Sequence, residues 1–108
     1  MAALVVATSS AAQSVDQARC GGQEGASPDL TVTACTAVIT SGQQSAEILA
    51  GAFYNRGGAY AAKGEYDRAI PDYEEATRLK PDYAEAFNGR SDSATNNGSV
   101  RGDYTAAH

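Results

Sequence analysis

The chain of 108 residues has no tryptophan, one methionine and a single histidine, which is the last residue, His108. Two cysteines and one terminal histidine do not make the four-ligand set of a structural zinc site, so we predict neither a metal nor another cofactor. The sequence also lacks a nucleophile elbow, a phosphate-binding loop and a dinucleotide fingerprint. We therefore expect a protein that is not an enzyme.

Basic residues are few, with 8 Lys and Arg against 13 Asp and Glu, for a net charge of −5. They form no basic stripe, which argues against binding of nucleic acid through its phosphates. No run approaches the ~20 apolar residues of a membrane-spanning helix. Every aromatic residue lies at or after Phe53, so we expect the core in the second half of the chain.

Residues 1–13 are small, apolar or polar, and Ser10-Ala11-Ala12 is compatible with a signal-peptidase site. A basic n-region is missing and the apolar run is short. Two interpretations stay open for this segment: a truncated signal peptide, or a disordered N-terminus.

Cys20 and Cys35 are separated by 15 positions, which would let one cysteine on each arm of a helical hairpin meet the other. A disulfide and an export signal would support each other and would place the protein in the periplasm or outside the cell. The alternative is a pair of free thiols in a cytoplasmic protein.

Apolar spacing and turn residues predict a helical chain. The predicted helices cover residues 14–20, 30–40, 45–63, 66–79 and about 83–94. Asp29 is the expected N-cap of the second of these. The polar residues 95–99 predict a turn.

The helix at 66–79 has the clearest apolar stripe, with offsets that alternate between three and four residues. Gly64 is predicted to end the preceding helix in a left-handed conformation. Pro81 is predicted to stop this one at Lys80. Glu74 and Arg78 are expected to form an i,i+4 ion pair.

The chain also repeats itself. Ala50, Phe53 and Arg56 are echoed 34 residues later by Ala84, Phe87 and Arg90, and Gly64 by Gly98. This repetition predicts a degenerate first hairpin at 14–49, one complete repeat at 50–83 and an incomplete repeat at 84–108.

The complete repeat resembles the tetratricopeptide repeat family. The resemblance is carried by residues that pack the repeat in that family: Phe53, Gly57, Tyr60, Gly64, Tyr66, Ala69, Tyr73, Ala76, Leu79 and Pro81. Arg56 stands where the family usually has leucine, as in the bacterial repeats of the Tyr-Asn-Arg-Gly type. The resemblance implies an all-α fold of antiparallel helical hairpins in a short right-handed solenoid.

The same resemblance implies a protein-interaction module whose first helices form a groove for a peptide or protein partner. Position by position, the implied groove residues are Tyr54, Asn55, Gly58, Ala61, Ala62, Glu85, Asn88 and Asp92. The basic residues with which some family members hold a terminal carboxylate are missing, because Gly51, Gly58 and Ala62 occupy those positions.

Two other hypotheses stay open. Repeat arrays generally need about three units for stability, so the chain could be an eroded or truncated piece of a longer array with only a structural role. An uncovered apolar helix face could instead make it a homodimer.

Overall fold

The computed structural model describes residues 16–22, 27–42 and 44–101, with side chains up to residue 97. These residues contain no strand. A helical segment at 16–20 is followed by α1 (Pro28–Thr40), α2 (Ala46–Ala62), α3 (Tyr66–Leu79) and α4 (Ala84–Arg101). Each of the four helices packs against the next, and α2 also approaches α4. The predicted all-α fold of antiparallel hairpins is confirmed. The segment proposed as a signal peptide, residues 1–13, lies outside the described residues.

The first two long helices each have a serine N-cap, Ser27 for α1 and Ser45 for α2. Ser27 Oγ accepts a hydrogen bond from the backbone N–H of Leu30 at 3.2 Å, and Pro28 occupies the first helical position. The expectation that Asp29 caps α1 was therefore wrong, because serine two residues earlier combined with proline starts the helix sooner. Asp29 instead lies in the first turn, where its carboxylate accepts from Lys63 Nζ at 2.6 Å.

The turn between α2 and α3 has the local geometry that the sequence indicates. Gly64 has a φ of 78°, the left-handed conformation expected of it. The Glu65 N–H donates to the Tyr60 carbonyl at 2.9 Å, which closes a Schellman-type turn. At the other end of α3, Lys80 is extended (φ −138°, ψ 89°) before Pro81.

The last helix is longer than expected. α4 continues through residues 95–99, where we had predicted a turn, and ends at Arg101. Asparagine and glycine each cost a helix only about 1 kcal/mol or less, which is too little to stop it. Gly64 ends α2 because its left-handed conformation closes a Schellman-type turn, whereas residues 95–99 stay helical.

Two small-residue cores hold the helices together. The first consists of Cys20, Ala34, Cys35, Val38 and Ala52, and the second of Ala69, Tyr73, Ala76 and Ala86. Cys20 and Cys35 form a disulfide with their Cα atoms 4.6 Å apart. The alternative of two free thiols is wrong in this structure, and the bond fastens the segment at 16–20 to α1.

The ion pairs on the surface of α3 differ from the predicted pair of Glu74 with Arg78. Arg78 pairs with Glu75, three residues earlier, and not with Glu74. Glu74 accepts from Arg90 Nε at 3.0 Å. The Glu74 side chain lies on the side of α3 that meets α4, so a partner on the next helix takes the place of the local one.

Tyr73 lies between Gly57 and Gly89, and the space at each glycine predicts how much an alanine there would destabilise the protein. A Cβ on Gly89 would lie 2.7 Å from the Tyr73 ring carbons Cε1 and Cζ, and one on Gly57 would lie 3.1 Å from Cε1. We expect Gly89→Ala to destabilise the protein by about 2 kcal/mol because the ring must move. Urea unfolding measures this change.

Gly51 provides the matched control. It lies inside α2 and a Cβ there would meet nothing within 4 Å, so Gly51→Ala should stabilise the protein by roughly 0.5–1 kcal/mol through helix propensity. A Gly89→Ala variant as stable as Gly51→Ala would show that α3 and α4 are not packed tightly at this point.

Candidate functional site

One surface of the molecule is built from the first helix of each successive pair. The segment at 16–20 meets α2 through the first core, and α2 approaches α4 at the other end. The surface along which these three elements meet is called the groove below. Its upstream half lies between residues 16–20 and α2, and its downstream half between α2 and α4.

The upstream half contains a cleft of about 200 Å³. Its lining residues come from three elements: Gln17, Cys20, Val38, Ile48, Gly51, Ala52 and Asn55. This volume is below the ~300–1,000 Å³ of ordinary small-molecule pockets. The cleft therefore suits a single side chain of a larger ligand better than a complete cofactor.

Gln17 and Asn55 supply the polar side chains of the cleft. Gln17 Nε2 donates to Gln44 Oε1 at 3.2 Å, which positions the Gln17 side chain. Asn55 is half-buried, and its amide offers both a donor and an acceptor. Gly51 has no side chain, so the backbone of α2 is open to a ligand there.

Three tyrosines line the downstream half: Tyr54 on α2, Tyr73 on α3 and Tyr83 in the turn between α3 and α4. The Tyr54 ring centroid lies 5.8 Å from that of Tyr73 and 5.1 Å from that of Tyr83. Tyr73 is only 5% exposed, and its hydroxyl lies beside Gly58. Burial, reinforced by the nearby negative charges, raises the pKa of Tyr73, so its hydroxyl stays protonated over a wide pH range.

The groove residues implied by the resemblance do not all behave alike. Tyr54 and Ala61 pack against the second core, while Asn55 lines the upstream cleft. Gly58 lies next to the Tyr73 hydroxyl. The remaining four are exposed to solvent: Ala62, Glu85, Asn88 and Asp92.

The residues predicted to pack the repeat fall into three groups. The buried ones are Gly57, Ala69, Tyr73 and Ala76. The half-buried ones are Phe53, Tyr60, Tyr66 and Leu79. Gly64 and Pro81 are exposed at the turns.

Sequence reasoning missed the ion pair that joins α2 to α3. Arg56 donates from Nε to Asp72 Oδ2 and from Nη2 to Oδ1, both at 2.8 Å. It also donates from Nη1 to Thr36 Oγ1 at 3.1 Å, and its guanidinium carbon lies 5.4 Å from the Phe53 ring centroid. The hydrogen bonds to Asp72 raise the pKa of Arg56.

This network lies outside the groove but helps to fix α2, the central helix of the groove, since it connects α2 to α1 and α3. The signal that could have revealed it is a base in the middle of one helix and an acid in the middle of the next. The periodicity of one helix contains no information about a partner on another helix.

Metal-ligand clusters and membrane-spanning helices are both absent from the described part of the chain. Its residues contain no group of three or more potential metal ligands. No helix within it has the length and apolar character needed to cross a bilayer.

Comparison with known proteins agrees with this geometry. No curated protein and no solved structure showed a significant match to the chain. The family model for the tetratricopeptide repeat matches residues 50–83, which span most of α2, all of α3 and the turn up to Tyr83. Residues 50–83 are therefore similar, in sequence and in their helical-hairpin structure, to a tetratricopeptide repeat, a module of protein–protein interaction.

Proposed function

We propose that this protein is a non-catalytic interaction module that binds an extended segment of a partner protein in the groove. The observation that carries the proposal is the tetratricopeptide match at residues 50–83, whose first helix forms the centre of the groove. Arrays of such hairpins bind partners along their inner surface.

The groove has features that suit a peptide. Gly51 and Gly58 leave the backbone of α2 accessible on both sides of Asn55. The Asn55 amide has the donor and acceptor needed to hydrogen-bond a peptide main chain. The 200 Å³ cleft beside it has room for one side chain of that peptide.

An internal segment of the partner fits better than its C-terminus. A terminal carboxylate needs charged donors around it. Gly51, Gly58 and Ala62 occupy the positions where the family's clamp would supply them.

We further propose that the protein works in an oxidising compartment, the periplasm or outside the cell. The Cys20–Cys35 disulfide supports this proposal, since such bonds persist mainly outside the reducing cytosol. Trapping free thiols in host cells by rapid alkylation tests it. Alkylation of both cysteines in the protein from living cells would argue for the cytosol.

The test of peptide binding is selection of a random peptide library on the folded chain, followed by affinity measurements on variants. Gly58→Gln places a side chain in the groove, and its Cβ would meet only the Tyr73 hydroxyl at 3.7 Å. Glutamine is also a better helix former than glycine. A loss of binding in this variant would therefore not reflect unfolding.

We expect enriched peptides to lose at least about tenfold in affinity for Gly58→Gln, the equivalent of about 1.4 kcal/mol. The control is Arg68→Gln, on the exposed side of α3 (side chain 67% exposed), which should bind as the wild type does. Failure to enrich any peptide, or equal binding by Gly58→Gln and wild type, would remove the groove from consideration as a peptide site.

A further inference from the structure

The charged residues are distributed unevenly over the described part of the chain. The bases from Arg56 to Arg90 each have a carboxylate partner there, in the pairs Arg56–Asp72, Lys63–Asp29, Arg68–Glu65, Arg78–Glu75, Lys80–Glu47 and Arg90–Glu74. These pairs balance the charge of the six basic residues between Arg56 and Arg90.

The groove side of α4 has unpaired acids. Glu85, Asn88 and Asp92 follow one another at offsets of three and four and share one side of the helix. All three are exposed, and neither carboxylate forms an ion pair with another described residue. The downstream half of the groove therefore has two acids without an ion-pair partner, while Lys80, the described base over its Tyr83 ring, is already paired with Glu47.

A second and independent feature of the downstream half is the Tyr73 hydroxyl. Tyr73 is 5% exposed, its hydroxyl makes no hydrogen bond with any residue that the structure describes, and the hydroxyl oxygen itself still reaches solvent. The hydroxyl lies beside Gly58, where no side chain covers it. A ligand that reaches this surface can form a hydrogen bond with the hydroxyl in place of water.

Helix geometry places Asp92 near this hydroxyl. Gly89 lies directly against the Tyr73 ring, and Asp92 is one turn further along α4. The charge of Asp92 contributes to the raised pKa of Tyr73, which agrees with this placement. The neighbouring tyrosine rings accept cations, since Lys80 Nζ already lies 4.9 Å from the Tyr83 ring centroid.

We propose that the downstream groove selects partners with a basic segment and binds a lysine or arginine side chain of that segment. The cationic group would donate to Tyr73 Oη and to the Asp92 carboxylate, next to the Tyr54 ring. This inference rests on the proposed function and adds to it the chemical class of the partner. A partner with a basic segment also matches the net charge of −5.

The probes are three capped peptides in which alanine alternates with lysine, glutamine or glutamate, measured by fluorescence anisotropy at about 0.15 M salt, where long-range attraction is screened. We expect the lysine peptide to bind most tightly. Asp92→Asn should weaken its binding about threefold, as expected for an exposed charge pair. Tyr73→Phe removes only the hydroxyl and should weaken binding about tenfold, as expected for a hydrogen bond to a charged group.

Asp67→Asn is the matched control, since it makes the same change of charge at an exposed position on α3. It should leave the affinity unchanged. The inference is overturned if Asp67→Asn weakens binding as much as Asp92→Asn, because that would indicate only general attraction to an acidic protein. It is overturned equally if the lysine peptide binds no better than the glutamine peptide.

The library selection separates this inference from the proposed function. Selected peptides that lose binding in Gly58→Gln but contain no excess of lysine or arginine would keep the peptide groove and reject its preference for basic segments. A selection that yields no peptide sensitive to Gly58→Gln would reject the proposed function itself.

Discussion

Replacing Arg56 by leucine is expected to lower the free energy of unfolding by about 3 kcal/mol, because it leaves the Asp72 carboxylate buried without its partner. The Asp72 side chain is 7% exposed and that of Arg56 is 19% exposed. Both hydrogen bonds of the pair measure 2.8 Å, so this pair is held as a fork rather than as a loose surface contact. Asp72→Leu should cost a similar amount, since it leaves the guanidinium half-buried.

The double variant Arg56→Leu, Asp72→Leu is the decisive one. Replacing both members of a buried ion pair by apolar residues is often close to neutral, so we expect it to recover most of the lost stability. Guanidinium chloride unfolding of the wild type, the two single variants and the double variant gives the coupling energy. Single changes that cost less than about 1 kcal/mol and add up in the double variant would mean that the pair behaves like an exposed one.

Reduction of the Cys20–Cys35 bond is expected to destabilise the protein by about 3 kcal/mol, the loss typical of a loop of about 15 residues. Both sulfur-bearing residues are buried, at 4% and 0% exposure, in the first core. Without the bond, packing in the first core and the Gln17–Gln44 hydrogen bond remain to hold the segment at 16–20. Since Gln17 and Cys20 line the upstream cleft, that half of the groove should loosen first.

Thermal unfolding followed by far-ultraviolet circular dichroism, with and without reductant and at several protein concentrations, measures the effect. The control is Cys20→Ala, Cys35→Ala, which should melt like the reduced wild type and should not respond to reductant. A weak and gradual melt that is indifferent to reductant would favour the alternative of an eroded piece of a longer array. A midpoint that rises with concentration would support the homodimer.

The experiments on the ion pair and the disulfide test stability, and those on Gly58, Asp92 and Tyr73 test binding. The two sets are independent where the variants keep the fold. Tyr73→Phe belongs to the second set because the hydroxyl it removes reaches solvent and makes no hydrogen bond with a described residue. The substitution leaves the ring between Gly57 and Gly89 unchanged.

The sequence by itself determined the features that depend on neighbouring residues. Gly64 reverses the chain because a left-handed residue is needed there. The stripe of Ala69, Tyr73 and Ala76 is buried because the helical period places them on one side of α3. The spacing of Cys20 and Cys35 favoured a disulfide but left a pair of free thiols as an alternative.

Only the tertiary structure decided which side chains meet across helices. Three such contacts join residues 16 positions apart: Arg56 with Asp72, Glu74 with Arg90, and Tyr73 with Gly89. They form because α2, α3 and α4 lie side by side. The same is true of the upstream cleft, where Gln17 and Asn55 face a common space. Helical periodicity indicates which side of a helix is buried, but the rotation of one helix against another depends on the packing of the whole chain.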